Sequence, residues 1–160
     1  MLEIRRVQRS AAFDRFVELL GLYEAGLPGD LRHKKAPNME ALTASHGGRS
    51  AAFLAMCGGE AVGCVAVREV DGATAVLRRL FVLPEHRGAG IARALVEAVL
   101  AFAKRQRYER VVLDTDKGRL RRAYDLYRSF GFKECAPFAE VDYESPTFME
   151  LRLAPDHRIE

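Results

Sequence analysis

The middle of the chain contains three β-rich runs joined by turns too short for a crossover. The runs cover residues 50–57, 61–70 and 75–83, and the turns are residues 58–60 (Gly-Gly-Glu) and 71–72 (Asp-Gly). Adjacent glycines supply the positive φ angles of a tight hairpin, whereas parallel neighbours need a connection of about a dozen residues or more. The pattern therefore predicts an antiparallel three-strand meander, which argues against a dinucleotide-binding fold built from βαβ units.

Helical periodicity is present on both sides of this meander. It predicts helices at residues 11–26, 38–42, 91–106 and 116–130, with short strands at 2–7, 111–113, 132–138 and 147–153. We therefore expect an α/β (α+β) fold with a mixed, mostly antiparallel sheet of about six to seven strands flanked by about four helices. The strand that follows the helix at 91–106 is expected to run parallel to the strand before that helix.

The composition sets broad limits on function. The 160 residues are 49% hydrophobic, and a domain has roughly 150 residues, so residues 1–160 are expected to form one domain. The net charge of +3 is too small to indicate nucleic-acid binding. Neither a signal-peptide h-region nor a run of about 18 apolar residues is present, which predicts a cytoplasmic protein with no membrane partner.

The cysteines and histidines do not follow a metal-binding pattern. Cys57, Cys64 and Cys135 are odd in number and include no C-x-x-C pair, so neither a disulfide framework nor a zinc site is expected. The four histidines are scattered without ligand spacing. We therefore predict reduced thiols and no metal cofactor.

A glycine-containing loop lies between the third run of the meander and the next helix. Residues 87–92 read Arg-Gly-Ala-Gly-Ile-Ala, and small residues at a helix start let N–H groups face a phosphate or pyrophosphate. A P-loop is excluded because no Gly-Lys-Ser/Thr follows, and Arg93 stands at the third-glycine position of a dinucleotide fingerprint. Because Asp114 lies near the position of a ribose-binding acid, an NAD-binding oxidoreductase half-domain stays an alternative, as does an ordinary strand-to-helix turn.

Two segments around this loop resemble the GNAT superfamily of N-acetyltransferases. Residues 80–92 (LFVLPEHRGAGIA) contain the pattern Arg/Gln-x-x-Gly-x-Gly/Ala, here met by Arg87, Gly90 and Ala92. Residues 123–132 (AYDLYRSFGF) are similar to a later family segment, A-x-x-L-Y-x-x-x-G-F, at the expected separation. Two motifs in the right order are more specific than one, and the predicted element order also matches the family fold.

The resemblance implies acetyl-CoA as the cosubstrate. Its pyrophosphate would lie on the backbone of Arg87, Gly88, Ala89, Gly90, Ile91 and Ala92. Its pantetheine arm would run along the main chain of Phe81 and Val82 like an added strand. The Val82 N–H would polarise the thioester carbonyl, and Tyr127 would protonate the departing thiolate. The alternative is that the side chains of Phe81, Val82 and Tyr127 are ordinary core residues.

At two other functional positions, this chain departs from the residues that are usual in the family. Val76 stands where many relatives carry a glutamate base, and Leu120 replaces an asparagine that often contacts the cofactor. Glu69, Asp142 and Tyr143 are candidate bases by location only, and a bound water or a distant carboxylate would also serve. The sequence therefore leaves the general base unassigned.

Arg78 and Arg79 are adjacent in a predicted strand. Successive side chains of a strand point to opposite faces, so one of the two is expected on a covered face. A buried charge there needs an ion pair or a bound anion. We therefore consider two roles for Arg79, a contact with a substrate carboxylate and an internal ion pair.

The resemblance predicts direct acetyl transfer to an amine in a ternary complex, without a covalent enzyme intermediate. A small-molecule acceptor is favoured because no acidic groove for basic peptides is evident. The main alternative is a non-catalytic acyl-CoA-binding or sensing module of the same fold. The basic runs at 32–35 and 119–122 lack interleaved aromatics, so no nucleic-acid partner is predicted. A homodimer through the late strands is compatible with the sequence.

Overall fold

The computed structural model describes residues 2–7, 11–27, 49–141 and 143–154. Its elements, numbered in chain order, are β1 (Leu2–Arg6), α1 (Ala11–Gly26), β2 (Ala51–Cys57), β3 (Glu60–Asp71), β4 (Thr74–Val82), α2 (Ile91–Arg105), β5 (Arg110–Thr115), α3 (Arg121–Ser129), β6 (Lys133–Glu134) and β7 (Thr147–Arg152). A 3-10 turn at Pro84–His86 lies between β4 and the loop before α2.

Seven strands form one sheet in the order β1-β2-β3-β4-β5-β7-β6. Every neighbouring pair is antiparallel except β4 and β5, which are parallel. In the β2–β3 turn, Gly58 and Gly59 have φ angles of 58° and 86°, in the left-handed region that favours glycine. The predicted fold class, meander and parallel pair are therefore confirmed.

Some predicted boundaries differ from the structure. The helix at 38–42 lies outside the described residues, within which three α-helices are present. α3 begins at Arg121 rather than at 116, because Asp116 Oδ1 accepts hydrogen bonds from the N–H groups of Gly118 and Arg119 and holds a separate turn. β6 is shorter than the predicted strand at 132–138, since Pro137 has no N–H to extend the ladder.

The two faces of the sheet carry separate cores. On one face, Phe16 and Leu20 of α1 pack against Cys64, Ala66 and Phe81. On the other face, α2 and α3 contribute to a larger core that includes Val65, Val67, Leu77, Val82, Leu95, Val99, Phe102, Tyr124 and Tyr127. Burial of each large apolar side chain stabilises the fold by about 1.5–3 kcal/mol. β4 therefore contributes to both cores and is held rigidly between them.

Gly63 of β3 allows a close approach between β4 and α2. A Cβ at this position would lie 2.9 Å from the Phe81 carbonyl oxygen and 3.1 Å from Leu95 Cδ1. Only glycine fits these contacts without a shift of the surrounding chain. Gly63 therefore sets the spacing between the end of β4 and the first turns of α2.

A β-bulge in β4 places Arg79 beside α1. The pairing of β4 with β3 shifts register around Arg79, whose φ is 59°. Arg78 pairs with Ala66, which packs against α1, and Arg79 interacts electrostatically with Glu24 and Tyr23 of α1. The prediction that the two arginines point to opposite faces is therefore wrong, because a bulge adds one residue to the alternation of the strand.

Candidate active site

β4 and β5 pair over a short distance and then diverge. Their parallel register contains three residue pairs, of which the last is Val76 with Val112. Both strands continue beyond this pair, and β4 remains paired with β3 on its other side. Main-chain groups of β4 that face away from β3 beyond Val76 therefore have no strand opposite them among the described residues. We call this opening the β4–β5 cleft.

The main chain of Val82 points into the β4–β5 cleft. The Leu83 N–H donates to the Val62 carbonyl at 2.8 Å, so the Leu83 amide faces β3. Main-chain groups of successive residues in a strand point to opposite sides, which directs the N–H and C=O of Val82 away from β3. Arg87 Nε donates to the Val82 carbonyl at 2.9 Å. The Val82 amide is thus a donor directed toward the cleft.

Arg87 folds back over the end of β4. Its guanidinium carbon lies 5.7 Å from the centroid of the Phe81 ring. The side chains of Phe81 and Val82 are buried in opposite cores, as the structural alternative for these residues predicts. The Phe81 carbonyl faces β3 beside Gly63. Of the two residues predicted to offer their main chain to pantetheine, only Val82 faces the cleft.

The loop before α2 presents a helix N-terminus that has no side-chain cap. Gly90, directly before the helix, and Gly88 have φ angles of 81° and 87°, and a Cβ at either would have no atom within 4 Å. Ala89 is exposed, Ala92 is partly buried, and buried Ile91 anchors the helix start in the core. The first N–H groups of a helix lack intrahelical partners and carry partial positive charge. This open, donor-lined loop fits the pyrophosphate predicted for it.

Tyr127 of α3 is buried, and its hydroxyl is not used in a hydrogen bond to any described residue. The ring packs edge-on against Phe132 at 5.8 Å. Tyr124, one turn earlier, has its hydroxyl bonded to Glu134, whereas no described residue bonds the Tyr127 hydroxyl. Burial raises the pKa of Tyr127, and the nearby Tyr23 and Asp114 raise it further. The phenol is therefore neutral near pH 7 and available as a donor.

Asp114, near the end of β5, lies beside Arg78 of β4. Tyr143 Oη donates to Asp114 Oδ2 at 2.7 Å, whereas Arg78 Nη2 lies 3.9 Å from Asp114 Oδ1. The second distance is beyond hydrogen-bonding range, so Oδ1 accepts no hydrogen bond from any residue that the structure describes. Burial raises the pKa of Tyr143, and the hydrogen bond to Asp114 raises it further. The sequence indicated Asp114 only as a ribose-binding acid.

Tyr23 and Arg79 lie between the cleft and α1. The Tyr23 ring contacts Phe81 edge-to-face at 5.9 Å. Burial raises the pKa of Tyr23, Glu24 and Asp114 add to this effect, and Arg79 opposes it. The Arg79 guanidinium has no salt bridge or hydrogen bond within residues 2–7, 11–27, 49–141 and 143–154, so the predicted internal ion pair is not found there.

Glu69 and Val76 lie away from the β4–β5 cleft or in the core. Glu69 pairs with Ala75 near the start of β4, away from the cleft, and forms a salt bridge with Arg49 at 2.8 Å. Val76 is buried, and Asp142 lies outside the described residues. Of the three bases named from the sequence, Tyr143 is the one that the structure places at the cleft.

A groove of 370 Å³ lies between α3 and β6. Its Tyr124 hydroxyl donates to Glu134 at 2.7 Å, and Glu134 forms a salt bridge with Lys117 at 3.1 Å, so these groups stabilise the connection between the two elements. No helix among the described residues is long and apolar enough to cross a membrane. The same residues contain no group of three or more His, Cys, Asp or Glu placed to bind a metal ion.

Comparison with known proteins gives the same family as the motifs around the glycine loop. Residues 16–132 match the Acetyltransferase (GNAT) family. The chain belongs to the GNAT family. Its curated GNAT relatives include an uncharacterized N-acetyltransferase of Schizosaccharomyces pombe, 35% identical over 97 residues, which are 60% of this chain and 59% of that protein. Human N-acetyltransferase 8B is 47% identical over 78 residues, which are 46% of this chain and 34% of that protein.

Solved structures show the same GNAT fold over nearly the whole chain. An acetyltransferase from Streptococcus agalactiae superposes with a TM-score of 0.75 at 24% identity, covering 95% of this chain and 98% of that one. A Salmonella typhimurium protein solved with its cofactor acetyl-CoA superposes with a TM-score of 0.69 at 20% identity, covering 98% of each chain. These likenesses confirm the fold that the two motifs predict.

Proposed function

We propose that this GNAT protein is an acetyl-CoA-dependent N-acetyltransferase that acetylates a small-molecule amine. The observation that carries the proposal is that the Val82 amide points into the β4–β5 cleft, while Tyr127 packs in the same core as Val82 and has a hydroxyl without a hydrogen-bond partner among the described residues. Acetyl transfer needs one donor for the thioester oxygen and one for the departing sulfur. Family membership and the likeness to a protein solved with acetyl-CoA support this cosubstrate.

Main-chain groups would hold most of the cofactor. The uncapped start of α2, with Gly88 and Gly90, would bind the pyrophosphate. The Val82 carbonyl already accepts one hydrogen bond from Arg87 and has a second lone pair for a pantetheine amide. Leu120, where relatives often have asparagine, offers only an apolar contact. The thioester would then lie at the end of β4, beside the Val82 amide.

The reaction requires no covalent enzyme intermediate. The nitrogen of a neutral amine forms a bond to the thioester carbon while the π electrons of the carbonyl move to its oxygen, which the Val82 N–H stabilises. When the carbonyl re-forms, the carbon–sulfur bond breaks and the electron pair leaves with sulfur. The nitrogen loses one proton and the sulfur gains one, so the products are an amide and the CoA thiol.

Tyr127 would act at the sulfur. Because burial raises its pKa, the phenol keeps its proton at neutral pH and can donate a hydrogen bond as the thiolate forms. A free thiol has a pKa of roughly 8.5, so this help lowers the barrier without being indispensable. Tyr127 would therefore affect turnover more than acetyl-CoA affinity.

The proposal is tested by titrating the purified protein with CoA, acetyl-CoA and NAD while thiol release is measured against an amine panel. We expect CoA and acetyl-CoA to bind and at least one amine to be acetylated. Acetyl-CoA binding without turnover on the panel would favour the acyl-CoA-sensing alternative. NAD binding without CoA binding would overturn the proposal in favour of a nucleotide-binding module.

Direct transfer has its own test. Intact-protein mass after incubation with acetyl-CoA alone is expected to show no acetylated cysteine. Cys64 is fully buried, and burial raises the pKa of its thiol to about 12, which makes it a poor nucleophile. An acetyl adduct that forms on a cysteine and disappears when amine is added would contradict direct transfer.

A further inference from the structure

We infer that the acceptor is a zwitterionic amine, such as an α-amino acid with an apolar side chain, whose ammonium group binds Asp114 and whose carboxylate binds Arg79. The inference rests on the proposed function and names the acceptor of the same site. It is based on two charged side chains, Asp114 and Arg79, which have unused hydrogen-bonding capacity and lie on the same side of the sheet.

Asp114 has one carboxylate oxygen ready for an ammonium group. Oδ2 is fixed by Tyr143, which orients the carboxylate, while Oδ1 accepts no hydrogen bond from the described residues and is accessible to solvent. Arg78 at 3.9 Å stabilises the negative charge without occupying that oxygen. A bound ammonium would supply the short, charge-assisted hydrogen bond that Oδ1 lacks here.

Arg79 is held in a strained conformation for which the described residues provide no salt bridge. Its φ of 59° is uncommon for a residue other than glycine. The bulge that causes this conformation also places the guanidinium near Tyr23 and Glu24 of α1. A planar guanidinium with unused donors is well suited to a carboxylate, which it can bind through two parallel hydrogen bonds.

The charges around the cleft favour a neutral ligand with separated charges. Arg78 and Arg79 contribute two positive charges, and Asp114 and Glu24 contribute two negative ones. Arg78, the neighbour of Arg79 in β4, has its Nη2 3.9 Å from Asp114 Oδ1, so Arg79 and Asp114 belong to adjacent strands at the same end of the cleft. A ligand with only an ammonium group would leave Arg79 without a partner from the ligand, and one with only a carboxylate would do the same to Asp114. A zwitterion supplies a partner to both residues.

An apolar surface lies next to these charges. The Tyr23 ring is partly exposed and packs edge-to-face, at 5.9 Å, on the buried ring of Phe81. Aromatic rings provide apolar contact area with little conformational entropy to lose on binding. We therefore expect the acceptor to carry an apolar side chain rather than a charged one.

Asp114 would also prepare the amine for attack. It accepts one proton from the ammonium group and passes it to solvent, which leaves the nitrogen lone pair free. The nitrogen then attacks the thioester carbon, and its second departing proton ends on the CoA sulfur. The balance is one zwitterion and one acetyl-CoA converted to one N-acetyl carboxylate, one CoA thiol and one released proton.

The test compares acceptors that differ by one charged group. Phenylalanine is compared with phenethylamine, which lacks the carboxylate, and with phenylalanine amide, in which the carboxylate is neutralised. Leucine and isoamylamine form a second matched pair. We expect kcat/KM for each amino acid to exceed that of the matched amine by at least about tenfold, because the amine has no carboxylate to bind Arg79.

Two variants assign the contacts. Arg79→Asn removes the guanidinium with a residue that tolerates a positive φ, and should raise KM for phenylalanine much more than KM for phenethylamine. Asp114→Asn should lower kcat for both acceptors and move the rise of the pH profile toward the pKa of the free amine. Exposed Arg68 and Asp125 provide the controls Arg68→Asn and Asp125→Asn, which should change neither parameter.

The outcomes separate this inference from the proposed function. If the amines are acetylated as well as the amino acids, the zwitterion inference fails while acetyl transfer stands. If no acceptor releases thiol, calorimetry of phenylalanine binding to the CoA-loaded protein decides the inference alone. Binding that Arg79→Asn weakens would support it, and the absence of binding would overturn it.

Discussion

Tyr124 and Tyr127 lie one turn apart on α3 and are both buried, but of the two only Tyr124 has its hydroxyl hydrogen-bonded within the described residues, to Glu134 at 2.7 Å. The hydroxyl of Tyr127 is therefore left for a ligand. We expect Tyr127→Phe to lower kcat by about 100-fold or more, the range for loss of a proton-transfer group. Acetyl-CoA affinity should be nearly unchanged. Steady-state kinetics and calorimetry measure the two effects.

Tyr124→Phe is the matched control for that variant. It removes one hydrogen bond, which costs about 1 kcal/mol of unfolding free energy, and should leave kcat near wild type. A Tyr127→Phe enzyme with wild-type turnover would show that Tyr127 is only a core tyrosine, as the sequence also allowed.

Gly90 is expected to be essential for acetyl-CoA affinity. Gly90→Ala adds a Cβ to a residue with a φ of 81°, which strains the backbone by about 1–2 kcal/mol and changes the start of α2. If this strain falls on the bound conformation, the Kd for acetyl-CoA rises about tenfold, since 1.4 kcal/mol corresponds to a factor of ten. Gly72→Ala is the control, because Gly72 is in an open turn without a positive φ. Equal affinities of the two variants would exclude the loop as the pyrophosphate site.

Gly63→Ala is expected to destabilise the fold itself. The added Cβ would lie 2.9 Å from the Phe81 carbonyl oxygen, so the end of β4 or the start of α2 must move. Overpacking of this kind costs about 1–3 kcal/mol, which chemical denaturation measures. A neutral result would show that β4 can shift freely, in contradiction to its fixed position between two cores.

Asp116 should make stability depend on pH in the acid range. Hydrogen bonds from the backbone and side chain of Arg119 hold the pKa of Asp116 below its ordinary value of 3.8. A depressed carboxyl pKa stabilises the folded state above the unfolded pKa, and this contribution is lost as pH falls through the folded pKa. Wild type should therefore lose stability below pH 3.8 more steeply than Asp116→Asn, which keeps an acceptor oxygen but has no charge. Parallel melting curves for both proteins across this range would contradict the assignment.

The element order, the antiparallel meander and the parallel pair could be predicted from local signals, whereas the places of β1, β6 and β7 in the sheet were not predicted. One glycine pair and one Asp-Gly turn between apolar runs indicated the hairpins, and the motif at residues 80–92 indicated the strand, loop and helix around the proposed cofactor position. Those features depend on φ preferences and hydrophobic periodicity, which are properties of short segments. The contact between Asp114 and Tyr143 was not predicted, since the two residues are 29 positions apart and meet only in the folded chain.

The position of Arg79 shows where strand periodicity fails as a guide. Simple alternation assigns opposite faces to Arg78 and Arg79, but the register shift in β4 places both beside α1. No glycine or proline marks the bulge, because the residue with the left-handed φ is the arginine itself. The acidic residue ending the apolar run 111–113 was a usable signal for Asp114, since its strand follows the motif helix.

The bulge at Arg79 determines both the position of its guanidinium and the orientation of the main chain at the end of β4. The extra residue that moves the guanidinium toward α1 also shifts the alternation of main-chain N–H groups along β4. It therefore determines the direction of the Val82 amide, three positions later. If the strand ran regularly from Arg78 at its present length, Val82 would be one position out of step with Gly63 and its amide would turn toward β3. A substitution at position 79 that keeps the left-handed φ therefore changes one side chain beside the cleft, whereas one that straightens the strand also reorients the main chain at Val82.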